Sequence, residues 1–203
     1  ASDLRAALNQ QERVAFAVPG GTSPGPVFDD LCAVDLDWDR VDVLLTDERW
    51  VPAVHERSNT RLLRERLLVE RAAKANLLPL YADDQTCDEA VSALSERIAP
   101  ELPLSVVLLG MGADRHTASL FPGADRLGEA LAPDAPILVP IQAPGAPEPR
   151  VTLSAHVLNG AMQKHLLIFG EDKRAALEGA RGLPLHEAPI NAVLNGAIVH
   201  WAA

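Results

Sequence analysis

Residues 108–123 read Leu-Leu-Gly-Met-Gly-Ala-Asp-Arg-His-Thr-Ala-Ser-Leu-Phe-Pro-Gly. The apolar run Val106–Leu109 stops at a glycine turn, Gly110-Met111-Gly112, and Asp114 and His116 follow at once. A histidine has an unperturbed pKa near ~6.5, so it can take and return a proton at neutral pH. A carboxylate two residues away can orient or polarise it. Taken alone, the segment reads equally well as a turn with an incidental histidine. The other strand ends of the chain tip the balance.

Val18-Pro19-Gly20-Gly21-Thr22-Ser23-Pro24 also follows an apolar run and leads into a helix. Two glycines let the backbone approach a ligand, the N–H groups at the helix start attract an anion, and Thr22 and Ser23 add hydroxyl donors. The spacing is neither that of a P-loop nor that of a dinucleotide fingerprint. A tight strand-to-helix turn is the simpler alternative. Thr46-Asp47-Glu48-Arg49 comes straight after Val41–Leu45. Three charges at the end of a buried strand are costly unless they are paired or face a ligand. Either a structural ion pair or an Arg49 guanidinium held ready for a phosphate fits that pattern. Arg150, after a loop, and Lys173, in the first turn of a helix, add two more cations. A cation in a first turn is unfavourable unless something anionic lies nearby.

Most of these groups sit at the ends of elements that must hold them. Val14–Val18, Val41–Leu45, Val106–Leu109, Ile137–Ile141, His165–Phe169 and Ala197–Trp201 are short apolar runs with little alternation, the pattern of strands buried on both faces of a parallel sheet. Helical signals lie between them. Thr86-Cys87-Asp88-Glu89 is a capping box ahead of Val91, Leu94 and Ile98. Ser58 can cap a helix carrying Leu62, Leu63, Leu67 and Leu68, and Asp172 can cap Lys173–Ala180. Alternating strands and helices predict an α/β fold in three layers, a mostly parallel sheet with helices on both faces. Residues 143–149, Ala-Pro-Gly-Ala-Pro-Glu-Pro, read as a stiff surface loop rather than a linker, so residues 1–203 form one predicted domain.

Composition narrows the partners. The chain of 203 residues carries a net charge of −10, which argues against nucleic acid and anionic membranes as main partners. A small anion remains compatible, because a few arginines and free N–H groups make a local positive site. No apolar stretch reaches membrane-spanning length and no basic-then-apolar segment opens the chain, so a cytoplasmic protein is expected. Cys32 and Cys87 match no metal or redox spacing and read as buried apolar residues. His55, His156, His165, His186 and His200 show no metal spacing either.

Together, Gly20-Gly21-Thr22-Ser23-Pro24, Thr46-Asp47-Glu48-Arg49 with Val51-Pro52 and Ser58-Asn59, Gly110 to Pro122, Arg150-Val151-Thr152, and Gly170 to Lys173 resemble the 6-phosphogluconolactonases. That family belongs to the wider group that includes the glucosamine-6-phosphate deaminases. The resemblance spans about Val14 to Lys173, and five motifs in order are far more specific than any one. The run Thr-Ala-Ser-Leu-Phe-Pro after His116 and the arginine at position 49 favour the lactonase branch.

The resemblance implies hydrolysis of 6-phosphoglucono-δ-lactone to 6-phosphogluconate, in the oxidative pentose phosphate pathway. His116 would be the general base, with Asp114, or alternatively Asp47, orienting it. Gly20, Gly21, Thr22, Ser23, Asp47, Arg49, Asn59, Arg150 and Lys173 would bind the substrate and its phosphate. No metal, organic cofactor or obligate protein partner is implied. An amino-sugar-phosphate deaminase-isomerase and a non-catalytic sugar-phosphate sensor are the alternatives. Arg115 stands where the family usually has glycine. The family's glycine and the tight turn between strand and helix together imply a left-handed backbone there, with the side chain expected to turn to solvent at the mouth of the site.

Overall fold

The computed structural model describes all 203 residues. In chain order the helices are α1 (Ser2–Leu8), α2 (Gly25–Leu31), α3 (Asn59–Arg66), α4 (Cys87–Ile98), α5 (Leu127–Leu131), α6 (Ala155–Asn159) and α7 (Glu171–Glu178). The strands are β1 (Val14–Val18), β2 (Val41–Leu45), β3 (Asp47–Arg49), β4 (Asn76–Leu78), β5 (Val106–Gly110), β6 (Leu138–Ile141), β7 (Arg150–Leu153), β8 (Gln163–Phe169) and β9 (Ile198–Ala202). Six strands form one sheet in the order β4-β2-β1-β5-β8-β9, every pair parallel. The predicted α/β class holds, and no helix is long and apolar enough to cross a membrane.

Burial explains the central strands. All five residues of β1 and of β2 are buried, and the two pair in register from Val14 opposite Val41 to Val18 opposite Leu45. Such strands gain apolar burial on both faces, so they need no alternation. One side of the sheet departs from that expectation. In β8 exposure alternates, and in β9 every residue is exposed, with Ile198, Val199 and Trp201 open to solvent at one edge.

A second sheet was not foreseen as separate. The apolar run Ile137–Ile141 supplies β6, yet it joins the antiparallel order β3-β7-β6 rather than the parallel sheet. Its partners β3 and β7 are short and begin or end in charge, so no run of apolar residues announces them. α4 packs against β6 and β7. Its buried stripe is Cys87, Ala90, Leu94 and Ile98, and the Thr86 capping box closes as predicted.

The helix signals hold with two shifts. Ser58 accepts a hydrogen bond from the Arg61 N–H and caps α3, which carries Leu62 and Leu63 but ends at Arg66, before Leu67 and Leu68. Asp172 does not cap α7: Gly170 is the cap residue, and Asp172 lies inside the first turn with Glu171 and Lys173. Two carboxylates at the positive end of the helix then offset the unfavourable cation. Cys32 and Cys87 are both buried and unbridged. Burial pushes the Cys87 thiol up to about 12, so it is inert at neutral pH.

Strand order reverses direction between β1 and β5. The connection from β1 leads outward to β2, and the one from β5 leads the other way to β8. In such a sheet a crevice opens past the carboxyl ends of the strands at that point, which is where ligands bind.

Candidate active site

A cavity of about 240 Å³ occupies that crevice. Its walls are the loop Pro19–Pro24 after β1, Asp47 and Arg49 on β3, Asn59 at the start of α3, Gly110–Gly112, His116 and Ala118 after β5, Arg150 on β7 and Lys173 on α7. Every residue read from the sequence as a candidate lines it except Asp114, which touches it through His116. A larger apolar cavity of about 360 Å³ lies between α1, α2 and the sheet, away from these loops, and is lined by no arginine or lysine.

The turn after β5 is built to present His116. Gly112 N–H donates to the His116 carbonyl, Arg115 N–H donates to the Gly112 carbonyl, and the Thr117 hydroxyl donates to Gly110. The imidazole lies so close to the turn that a Cβ at Gly112 would fall 2.2 Å from its Nδ1 and Cε1. Only glycine leaves that space. Phe121 stacks on the ring at 4.0 Å between centroids. Asp114 Oδ1 sits 2.5 Å from Nδ1. With the Nδ1 proton on that bond, Nε2 carries the free lone pair. The bond to His116 holds the Asp114 carboxyl below the usual range against an opposing effect of burial. Between the two candidates for orienting His116, the hydrogen bond goes to Asp114. Asp47 is engaged elsewhere: it accepts from the Ser119 hydroxyl at 2.5 Å and the Thr46 hydroxyl at 3.2 Å.

Arg49 and Arg150 stand directly opposite each other on the β3–β7 ladder. Like charges in that position repel. Arg49 donates to the Arg57 carbonyl at 2.6 Å, and its Nε is buried without a partner. Arg150 lies 3.7 Å from Asp47, over the Phe121 ring, and its Nε is likewise orphaned. Burial, reinforced by Arg49 and opposed by Asp47, pushes Arg150 below its usual value. Lys173 makes no ion pair. The N–H groups of Gly20, Gly21, Thr22 and Ser23 have no partner in the protein. Three cations, one carboxylate and a row of free donors make a site suited to an anion, in a chain of net charge −10.

Two residues support this arrangement from behind. Asn59 Nδ2 donates to the Asp47 carbonyl, and its amide lies 2.0 Å from where a Cβ would sit on Gly20. Glu48, overlooked in the sequence, is fully buried and accepts from the N–H groups of Arg49, Asn59 and Thr60 and from the Ser58 hydroxyl. This settles how the central charge of Asp-Glu-Arg is tolerated: backbone donors satisfy it, not a cation. The readable signal was a carboxylate at a strand end with a Ser-Asn-Thr helix start ten residues on. Ser119 and Phe121 were likewise passed over as parts of the site.

The left-handed backbone at Arg115 is present, with φ 69°. The side chain does not point to solvent at the mouth. Its Nε is buried and unpartnered, and Nη2 reaches Gly179, where α7 ends. The negative end of the helix dipole draws the guanidinium there. Arg115→Gly is therefore expected to relieve strain and raise the denaturation midpoint by up to about 1 kcal/mol of stability. The Michaelis constant should not change, since Arg115 does not line the cavity. A lower midpoint rejects the strain argument.

A sequence model of the family described as glucosamine-6-phosphate isomerases/6-phosphogluconolactonase matches residues 1–201. The chain belongs to this family. Among the relatives of this isomerase/lactonase family, a 6-phosphogluconolactonase of Rhizobium meliloti is 41% identical over 98% of this chain and 89% of its own. One from Caulobacter vibrioides is 42% identical over 87% of this chain and 77% of its own. The crystal structure of a 6-phosphogluconolactonase from Shewanella baltica superposes with a TM-score of 0.95 at 35% identity, covering 100% of this chain and 89% of that one.

Proposed function

We propose that the protein hydrolyses 6-phosphoglucono-δ-lactone to 6-phosphogluconate. The observation that carries this reading is the placing of a carboxylate-bound imidazole and a cluster of unsatisfied cations on the walls of one small cavity. Relatives and neighbours named as lactonases over most of their length support it.

In this reading the phosphate is the handle. Arg49, Arg150 and Lys173, with the N–H groups of Gly20–Ser23, hold it and leave the lactone carbonyl near His116. His116 Nε2 takes a proton from water as the water oxygen bonds to the carbonyl carbon. The tetrahedral adduct then collapses, the bond to the ring oxygen breaks, and the same proton goes from Nε2 to that oxygen. Asp114 keeps Nδ1 protonated and stabilises the imidazolium between the two transfers. Asp47 holds Arg150 and Ser119 in place. Fixing the lactone against the base supplies the gain from positioning. A sugar-phosphate sensor would need the cations but not the imidazole pair beside them, so that alternative is disfavoured.

The test is an assay of purified protein with freshly prepared phosphorylated lactone, followed by proton release against the spontaneous rate. Acceleration proportional to enzyme is expected. A rate equal to the background would remove the proposal.

A further inference from the structure

We propose that Glu48 is a positioning residue for phosphate recognition: it acts through Arg49 and Asn59, touches no substrate, and fixes both sides of the phosphate site at once. The inference rests on the proposed function. Glu48 is fully buried with no cation beside it. One carboxylate oxygen accepts from Arg49 N–H at 2.7 Å and Asn59 N–H at 2.8 Å. The other accepts from Thr60 N–H at 2.7 Å and the Ser58 hydroxyl at 3.0 Å.

Those bonds join two parts of the site that are ten residues apart in sequence. Arg49 is the cation on β3. Asn59 carries the amide that donates to the Asp47 carbonyl and packs against Gly20, the first residue of the loop with free N–H groups. A single carboxylate therefore sets the spacing between a guanidinium and the glycine loop. At the start of α3, Ser58 accepts from Arg61 N–H, and Glu48 takes the free N–H groups of Asn59 and Thr60. Two of the four donors to Glu48 belong to residues that line the cavity, Arg49 and Asn59, and the other two to their neighbours Ser58 and Thr60. Burial raises the Glu48 carboxyl above its usual range, and the same N–H groups of Asn59, Thr60 and Arg49 oppose that rise. The protein thus keeps an acidic group in an unfavourable place, and what it gains is geometry.

Glu48→Gln preserves shape but turns one acceptor into a donor, so one pair of donors loses its partner. The expected result is about a tenfold weaker affinity for 6-phosphogluconate by calorimetry, and about the same rise in the Michaelis constant of the phosphorylated lactone. Turnover at saturation and the slow hydrolysis of unphosphorylated glucono-δ-lactone should stay within about twofold of wild type, because His116 is untouched. A purely structural role would lower the melting temperature and the active fraction, reducing both lactones alike. Equal loss on both substrates, or unchanged affinity in a folded variant, overturns the inference. If Glu48→Gln does not fold, Ser58→Ala removes one of the four donors and should weaken 6-phosphogluconate binding in the same direction by a few fold; unchanged binding there is equally fatal. Wild-type protein that does not bind 6-phosphogluconate would instead overturn the functional reading itself.

Discussion

His116→Ala is expected to lower turnover of the phosphorylated lactone by about 10²–10⁴-fold, the usual worth of a positioned general base. The ring packs against a turn whose bonds are main-chain or come from the Thr117 and Asp114 side chains, so its loss should leave fold and phosphate affinity intact. Asp114→Asn should cost less. The amide can still bond Nδ1, but it favours the wrong tautomer and cannot balance the imidazolium. Steady-state kinetics on both variants, with 6-phosphogluconate affinity as the control, give the check. Near-normal turnover in folded His116→Ala would mean that the base lies elsewhere.

Arg150→Ala carries the second large effect. A charge-assisted hydrogen bond contributes about 1.5–3 kcal/mol, so losing one to the phosphate should raise the Michaelis constant by roughly 10–150-fold. The variant also removes the cation nearest Asp47, which adds a stability cost that Arg49→Ala does not share. Arg49→Ala is therefore the cleaner measurement, with a similar rise expected. Both changes act on a group remote from the reacting carbonyl, so most of the effect should fall on binding, with some on turnover if binding serves to position the lactone. The comparison substrate is unphosphorylated glucono-δ-lactone, which should be poor for wild type and little changed by either variant. Equal efficiency of wild type on the two lactones would show that these cations do not form a phosphate site.

What the chain disclosed in advance follows from which residues carry a local signal. Central strands such as β1 and β2 are runs of apolar residues because both faces are buried, and their ends mark the crevice directly. β3 and β7 carry Asp47, Arg49 and Arg150, and are nearly invisible as strands because three or four residues with a charge at the end have no periodicity. Their pairing is a long-range fact: Arg49 meets Arg150 across a separation in sequence that no window spans. The same holds for Glu48, whose four donors lie on the next residue and on a helix start ten residues away. Arg115 was half legible. Its backbone followed from the family's glycine and the tight turn, whereas its side chain followed α7, whose end could be located only once the fold had closed.

The two arginines facing each other on the β3–β7 ladder have a thermodynamic consequence. In the free protein that rung opposes the pairing of its strands, which the β3–β7 ladder and the packing of β6 and α4 against β7 hold together. A bound dianion would turn the repulsion into a bridge between the strands. Ligand occupancy then becomes part of the folding equilibrium, and at a hundred times the dissociation constant mass action alone adds about 2.7 kcal/mol. For a domain of this size that corresponds to roughly 5–11 °C in melting temperature. The protein would resist heat, and proteolysis at the loops beside β3 and β7, increasingly with the logarithm of the concentration of such a ligand.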